Sequence, residues 1–128
     1  MSGISPTGPP VADHEDAYRA ILHDAQWHDE AKRPSSAAFD DEVFSVDIAS
    51  RTTPQTTKSR FRSVLHIVQF GCGAARGIGF DTRDELDPIH PDNRAHANVY
   101  FLDYHAFPAK KRKAKARELA QICSPVEF

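Results

Sequence analysis

The stretch "FGCGAARGIGF", residues 70 to 80, decides the fold of this 128-residue chain. It follows the apolar run Val64 to Phe70 and carries Gly73, Gly77 and Gly79 in the order G-x-x-x-G-I-G. Glycines so spaced behind a strand are the signature of a dinucleotide-binding loop. They let the backbone approach a pyrophosphate, whose charge then sits at a helix N-terminus. If that reading holds, the fold is a doubly wound parallel sheet; if not, the stretch is a connection in some other fold.

Three features exclude the cofactor loop. No helix-forming sequence follows it, since Phe80 leads straight into "DTRDELDP". Only 49 residues remain after Gly79, too few for the further βα units of a doubly wound sheet. Short-chain dehydrogenases, which use this glycine pattern, also need a Tyr-x-x-x-Lys pair. Here Tyr100 is followed at that spacing by Tyr104, and Tyr104 by Pro108. The stretch therefore reads as a glycine-rich connection, a two-turn helix at most. In it Gly71 and Gly73 are expected to supply unusual backbone angles and Arg76 to be its exposed polar residue.

Outward from there, "SVLHIVQF" (63–70) is rich in β-branched and aromatic residues and reads as a central strand. "EVFSVDIAS" (42–50) alternates Phe44, Val46 and Ile48 against Val43, Ser45 and Asp47, as a strand does. "HANVYFLDYHAF" (96–107) is a third strand. Asp13 to Leu22 suits a short helix, with Asp13 as N-cap and Tyr18, Ile21 and Leu22 at i, i+3 and i+4. Thr53 and Pro54 mark a helix start, and residues 81–95 a polar loop. Pro108 opens a terminal helix whose apolar face is Ala116, Leu119, Ala120 and Cys123. The order of elements predicts one compact α+β domain, a small mixed or antiparallel sheet packed by short helices, over residues 13–128. The Pro-, Gly- and Ser-rich residues 1–12 read as a disordered leader.

Composition bounds the function. No apolar run approaches the roughly 20 residues that span a bilayer, so no membrane role is expected. The stretch "MSGISPTGPPVADHED" lacks the basic n-region and apolar h-region expected of a signal peptide, and two cysteines, Cys72 and Cys123, make no disulfide framework. The cytoplasm is the expected location. The net charge of -2 hides an asymmetry: residues 1–50 hold ten acids and three bases, residues 51–128 eight acids and thirteen bases. The halves can pair with each other, or the basic half can face a polyanion.

Several short pieces carry a resemblance: "KRPSSAAF" (32–39), "FSVDIAS" (44–50), "GAARGIGF" (73–80), "DPIHPDNRAHANV" (87–99) and a basic helix ending "ARELAQI". Together they resemble a group of small bacterial proteins without an assigned activity. In that group R-P-x-S-x-A-F, S-V-D, an A-R-x-L-G-like turn and N-P-x-H-A-E recur in this order before a K-A-R-x-L-A helix. The match covers roughly residues 30 to 123. Where the group often carries Glu two residues after the histidine, this chain has Asn98 after His96. Asn can hold a ligand by hydrogen bonds but cannot act as a general base.

The resemblance marks Arg33, Ser35, Ser36, Ser45, Asp47 and His96. Arg33, Ser36, Asp47 and His96 are the catalytic candidates of an enzyme handling a nucleotide or phosphate-bearing ligand, with Arg33, Ser35, Ser36 and Asn98 binding it. An Arg, a strand Ser and a late acid also resemble the set of some ADP-ribosyltransferases. The plainer alternative pairs Arg33 with Asp47 and spends Ser35 or Ser36 on a turn cap. His66 and His96 would make an acid/base pair if they faced each other on adjacent strands, but phosphoesterases that use two histidines also need Ser or Thr two residues later, where this chain has Val68 and Asn98. No cofactor and no metal site is expected, as H-E-x-x-H and C-x-x-C spacings are absent and His23 and His28 do not share a helical face. His90 and His96 flank the acidic loop that offers the better alternative. Cys72 is a candidate reactive thiol if the turn's amides lower its pKa.

The terminal helix crowds Lys110, Lys111, Arg112, Lys113, Lys115 and Arg117 into its first turns, against the helix dipole. Contact with a nucleic-acid backbone would explain that arrangement, with Tyr100, Tyr104 or Phe107 as stacking residues. The leading expectation is a small binding or accessory protein working on a protein partner or nucleic acid. Its small size suits a toxin–antitoxin or phage-defence locus. The alternative is the small enzyme above.

Overall fold

In the computed structural model, which describes residues 4–128, the chain folds around one antiparallel sheet. In chain order the elements are β1 (Asp16–Ile21), β2 (Trp27–His28), β3 (Arg33–Pro34), β4 (Val43–Ile48), α1 (Pro54–Ser59), β5 (His66–Gly71), α2 (Cys72–Ile78), β6 (Phe80–Arg83), β7 (His96–Phe101), α3 (Ala109–Ile122) and β8 (Ser124–Val126). Six strands form the sheet in the order β6-β7-β4-β1-β5-β8, and β2 pairs β3 in a separate ribbon. The result is the α+β domain that the order of elements predicts.

One sheet face is apolar and the other polar, because side chains alternate along every strand. Ala17, Ile21, Phe44, Val46, Ile48, Val68, Phe70, Phe80, Val99 and Phe101 belong to the apolar core. Cys72 and Ala75 of α2, Ala116, Leu119 and Ala120 of α3, and the turn residues Ala38 and Phe39 complete it. Phe39, Phe70 and Phe80 are fully buried, each contributing roughly 1.5–3 kcal/mol of transfer free energy. Phe39 meets Phe70 edge-on, and Phe80 lies 4.4 Å from Phe101 between ring centroids.

Four expectations need correction. Asp13–Leu22 is not a helix: β1 occupies it, pairing β5 through six positions and β4 through two. Pairing on both edges outweighs a marginal helical pattern, and Tyr18 and Ile21 then point to opposite faces. Residues 81–95 are not all loop, since β6 extends to Arg83 against β7. Within the leader, residues 4–12 lie against the sheet: Val11 is buried, its N–H donates to Thr82 O at 2.9 Å, and Pro10 bridges Arg83. That segment covers the edge of β6; residues 1–3 lie outside the described residues.

The glycine stretch is the fourth. Gly71 has an ordinary φ of -78° and caps α2, while Gly79 is the one positive-φ glycine among the described residues, at 122°. Its N–H closes α2 on Ala75 O and Arg76 O before the chain turns into β6. The amides that would cradle a pyrophosphate are already spent: Cys72 N–H donates to Glu15 O at 2.9 Å and Gly73 N–H to Asp13 O at 3.0 Å. A Cβ on Gly73 would stand 2.9 Å from Asp13 O. The glycine admits the chain's own backbone where a cofactor would need to be. Arg76 is a staple rather than a free polar residue, pairing with Asp13 and Asp81 and donating to Val11 O and Thr82 O.

Candidate functional site

The β1–β4 ladder carries two pairs, Ala17–Ile48 and Tyr18–Asp47, and among the described residues goes no further. Beyond it β1 stays with β5 and β4 stays with β7. Arg19 stitches the gap from the core side. Its guanidinium lies over the Phe44 ring, donates to Ala38 O at 3.2 and 3.1 Å, and reaches Ser45 O at 3.1 Å. Burial lowers the Arg19 pKa to about 10, with Asp41 opposing the drop, so it keeps its charge at neutral pH.

On the polar face the gap opens into a cavity of about 300 Å³. Tyr18, Ser45, Asp47 and His96 form its strand-borne floor, α1 and its following turn supply Thr57, Arg60 and Phe61, and the loop before β7 supplies Asp87, Ile89, His90 and Asn93. The volume is at the lower end for small-molecule sites.

Asp47 is buried and fully engaged. Thr57 Oγ1 donates to its Oδ2 at 2.7 Å, Asn93 Nδ2 donates to Oδ1 at 3.0 Å, and Arg60 Nε stands 3.7 Å from Oδ2. Thr57 reaches it because Thr53 caps α1, accepting from Thr56 N–H, with Pro54 in the first turn as its sequence predicts. Arg60 Nε is buried and makes no hydrogen bond.

His96, opposite Asp47 in the β4–β7 register, is oriented by two contacts. Its Nδ1 lies 2.6 Å from Glu85 O and its Nε2 3.2 Å from Ser45 Oγ. A carbonyl only accepts, so Nδ1 carries the proton; in the neutral ring Nε2 then accepts from the Ser45 hydroxyl. Ser45 is exposed to the cavity while His96 is buried.

Glu85 fixes the loop that makes one wall. Its carboxylate accepts from Tyr100 OH at 2.5 Å, Asn98 Nδ2 at 3.0 Å, Thr7 N–H at 2.8 Å and Gly8 N–H at 2.7 Å. Burial alone would raise its pKa, but these donors outweigh it and hold the group at about 2. Burial and the Glu85 contact push Tyr100 up to about 12.

Of the residues expected at a site, Ser45, Asp47 and His96 meet here. Arg33 and Ser36 do not. Arg33 sits opposite His28 in the β2–β3 ribbon, and Ser36 begins a 3-10 turn that packs on α3. The ion pair of Arg33 with Asp47 gives way to Arg60. Ser35 Oγ donates to Ala25 O at 2.6 Å, a local use. Asn98 is engaged by Glu85, so a carboxylate does stand beside position 98, brought by the loop rather than by the strand. His66 and His96 are not on adjacent strands, and His66 stacks on Trp27 at 3.7 Å. His90 and His96 both line the cavity, but among the described residues no group of three His, Cys, Asp or Glu is placed to hold a metal ion.

Two further candidates sit elsewhere. Cys72 is buried and its pKa is raised by that burial, against the expectation of an activated thiol. On α3 the six bases do not form one face. Arg112 lies over Tyr104 and donates to Phe107 O at 2.9 Å, Lys111 lies over Phe107, and Lys115 pairs Glu118. Lys110, Lys113 and Arg117, at i, i+3 and i+7, remain exposed as one stripe. Elsewhere basic residues of the second half do meet acids of the first, as in Arg60–Asp47, Arg76–Asp13 and Arg112–Asp40.

Arg60, Thr57 and Glu85 carry no sequence motif that marks them as site residues. Thr57 and Arg60 do share an i, i+3 face behind a legible cap, but nothing local shows that this face meets Asp47. No helix of the described residues is long and apolar enough to cross a membrane. No protein-family model, no curated protein and no solved structure matches this chain.

Proposed function

We propose that this protein binds a small phosphate-bearing ligand of nucleotide size in the cavity between β1 and β4. The observation that carries the reading is the convergence of Ser45, Asp47, His96 and Arg60 on one concave site. Arg60 lines the cavity as a cation, its Nε turned to Asp47 at 3.7 Å, and a guanidinium at that wall suits a phosphate oxygen. Asp47 does not repel an anion as a bare carboxylate would, because Thr57, Asn93 and Arg60 already compensate it. At the rim Phe61 and Ile89 are 40% and 80% exposed, an apolar surface for a base or similar flat group.

A thermal-shift titration with AMP, inorganic phosphate and adenosine tests this. AMP is expected to raise the midpoint most, by an amount set by about RT ln(1 + [L]/Kd), and Arg60→Gln to remove the effect. No shift by any of the three at millimolar concentration would overturn the reading.

A second reading is favoured by the stripe of Lys110, Lys113 and Arg117, which have no ion-pair partner among the described residues. Three free cations along one helix face support contact with a nucleic-acid backbone. Such binding would be weak and steeply salt-dependent.

A further inference from the structure

We infer that Ser45 is a nucleophile toward phosphorus esters, with His96 as its general base; the inference rests on the phosphate-ligand reading above and names the chemistry done at that site.

The geometry of three groups supports it. Ser45 Oγ stands 3.2 Å from His96 Nε2, within reach of proton transfer, and His96 Nδ1 is held 2.6 Å from Glu85 O. A nucleophile, a base and a group that orients the base therefore stand in line, with the Glu85 carbonyl in the third place. With Nδ1–H committed to the carbonyl, the neutral ring presents its Nε2 lone pair to the hydroxyl. The carbonyl is itself fixed, since the Glu85 side chain is clamped by Tyr100, Asn98, Thr7 and Gly8. Ser45 is no buried strand residue satisfying a histidine. It is exposed in the cavity, and its own carbonyl is pinned by Arg19, so the hydroxyl is held at the point where β1 and β4 part.

The reaction balances with water alone. As Ser45 Oγ bonds to phosphorus, its proton passes to His96 Nε2, and the ester P–O bond breaks. His96 returns that proton to the leaving alkoxide. Water then attacks the phosphoserine, giving a proton to Nε2. The Oγ–P bond breaks and Oγ recovers the proton, releasing phosphate. Arg60 stands in the same cavity as a cation for the phosphoryl oxygens.

An alkyl fluorophosphonate probe tests the step, because it needs only attack by Oγ and loss of fluoride. Intact mass and peptide mapping of the folded protein are expected to show one adduct, on Ser45, slowed by AMP. Ser45→Ala should abolish it while the variant still melts cooperatively as a folded protein. His96→Asn should slow it about 100-fold or more; its side-chain amide can still donate to Glu85 O, so loss of labelling would report the missing base. Absence of an adduct, an adduct elsewhere, or labelling of His96→Asn at the parent rate would overturn the inference. If AMP still shifts the midpoint of unlabelled protein, the binding reading survives that failure. Labelling of Ser45 without any AMP effect would instead sustain the nucleophile and remove the nucleotide ligand.

Discussion

The Tyr100 hydroxyl donates to Glu85 Oε1 across 2.5 Å, and the other oxygen of the same carboxylate holds the amides of Thr7 and Gly8. One side chain thus ties the N-terminal segment, β7 and the cavity-lining loop together. Glu85 is held at about 2, below its ordinary 4.5, so its stabilising contribution is fully present above pH 4.5 and is lost as pH falls toward 2. Glu85→Gln is expected to cost roughly 1–3 kcal/mol at pH 7. Urea denaturation should show the gap between variant and parent closing as pH falls from 5 to 2. A gap independent of pH would place the clamp elsewhere. Tyr100 acts oppositely: raised to about 12, its contribution holds below pH 10 and is lost as pH rises through 12.

Asp47 should prove a stability residue as well as a site residue. Asp47→Ala leaves Thr57 Oγ1, Asn93 Nδ2 and Arg60 without their acceptor in a buried setting. A loss of roughly 2–4 kcal/mol is expected by chemical denaturation. A loss under 1 kcal/mol would mean that water reaches these groups freely.

The glycines of the opening stretch separate cleanly. Gly77 has open space around it and ends no helix, so Gly77→Ala is expected to stabilise by about 0.4–1 kcal/mol. Gly73→Ala drives a methyl against Asp13 backbone 2.9 Å away, and Gly79→Ala forces a side chain onto a φ of 122°; each should cost about 1 kcal/mol or more. Melting midpoints of the three variants decide it, and a stable Gly73→Ala would deny the close approach.

Neither cysteine should react in the folded protein. Burial raises Cys72, and it raises Cys123 to about 12. Alkylation by iodoacetamide at pH 8 is expected only after denaturation, and rapid native labelling of Cys72 would contradict this.

Strand identity was legible where alternation is strict, as in Phe44, Val46 and Ile48 against Ser45 and Asp47. Helix ends were legible where a residue type dictates them, as with Thr53, Pro54 and Pro108. β1 was not, because Tyr18, Ile21 and Leu22 fit a helical stripe as well as a strand, and only pairing with β4 and β5 distinguishes them. The site was half legible for a related reason. Ser45, Asp47 and His96 lie on the polar faces of recognisable strands. Arg60 and Glu85 reach them from segments 13 and 38 residues away from Asp47 in the chain, by contacts that no local pattern records.

If the opening between β1 and β4 binds the ligand, amide chemical shifts on adding AMP will locate it residue by residue. Perturbations are expected to concentrate at Tyr18–Ala20, Ser45–Asp47 and His90–Asn93, and to be absent in Arg60→Gln. Shifts confined to Lys110–Arg117 of α3, or none at all, would contradict it.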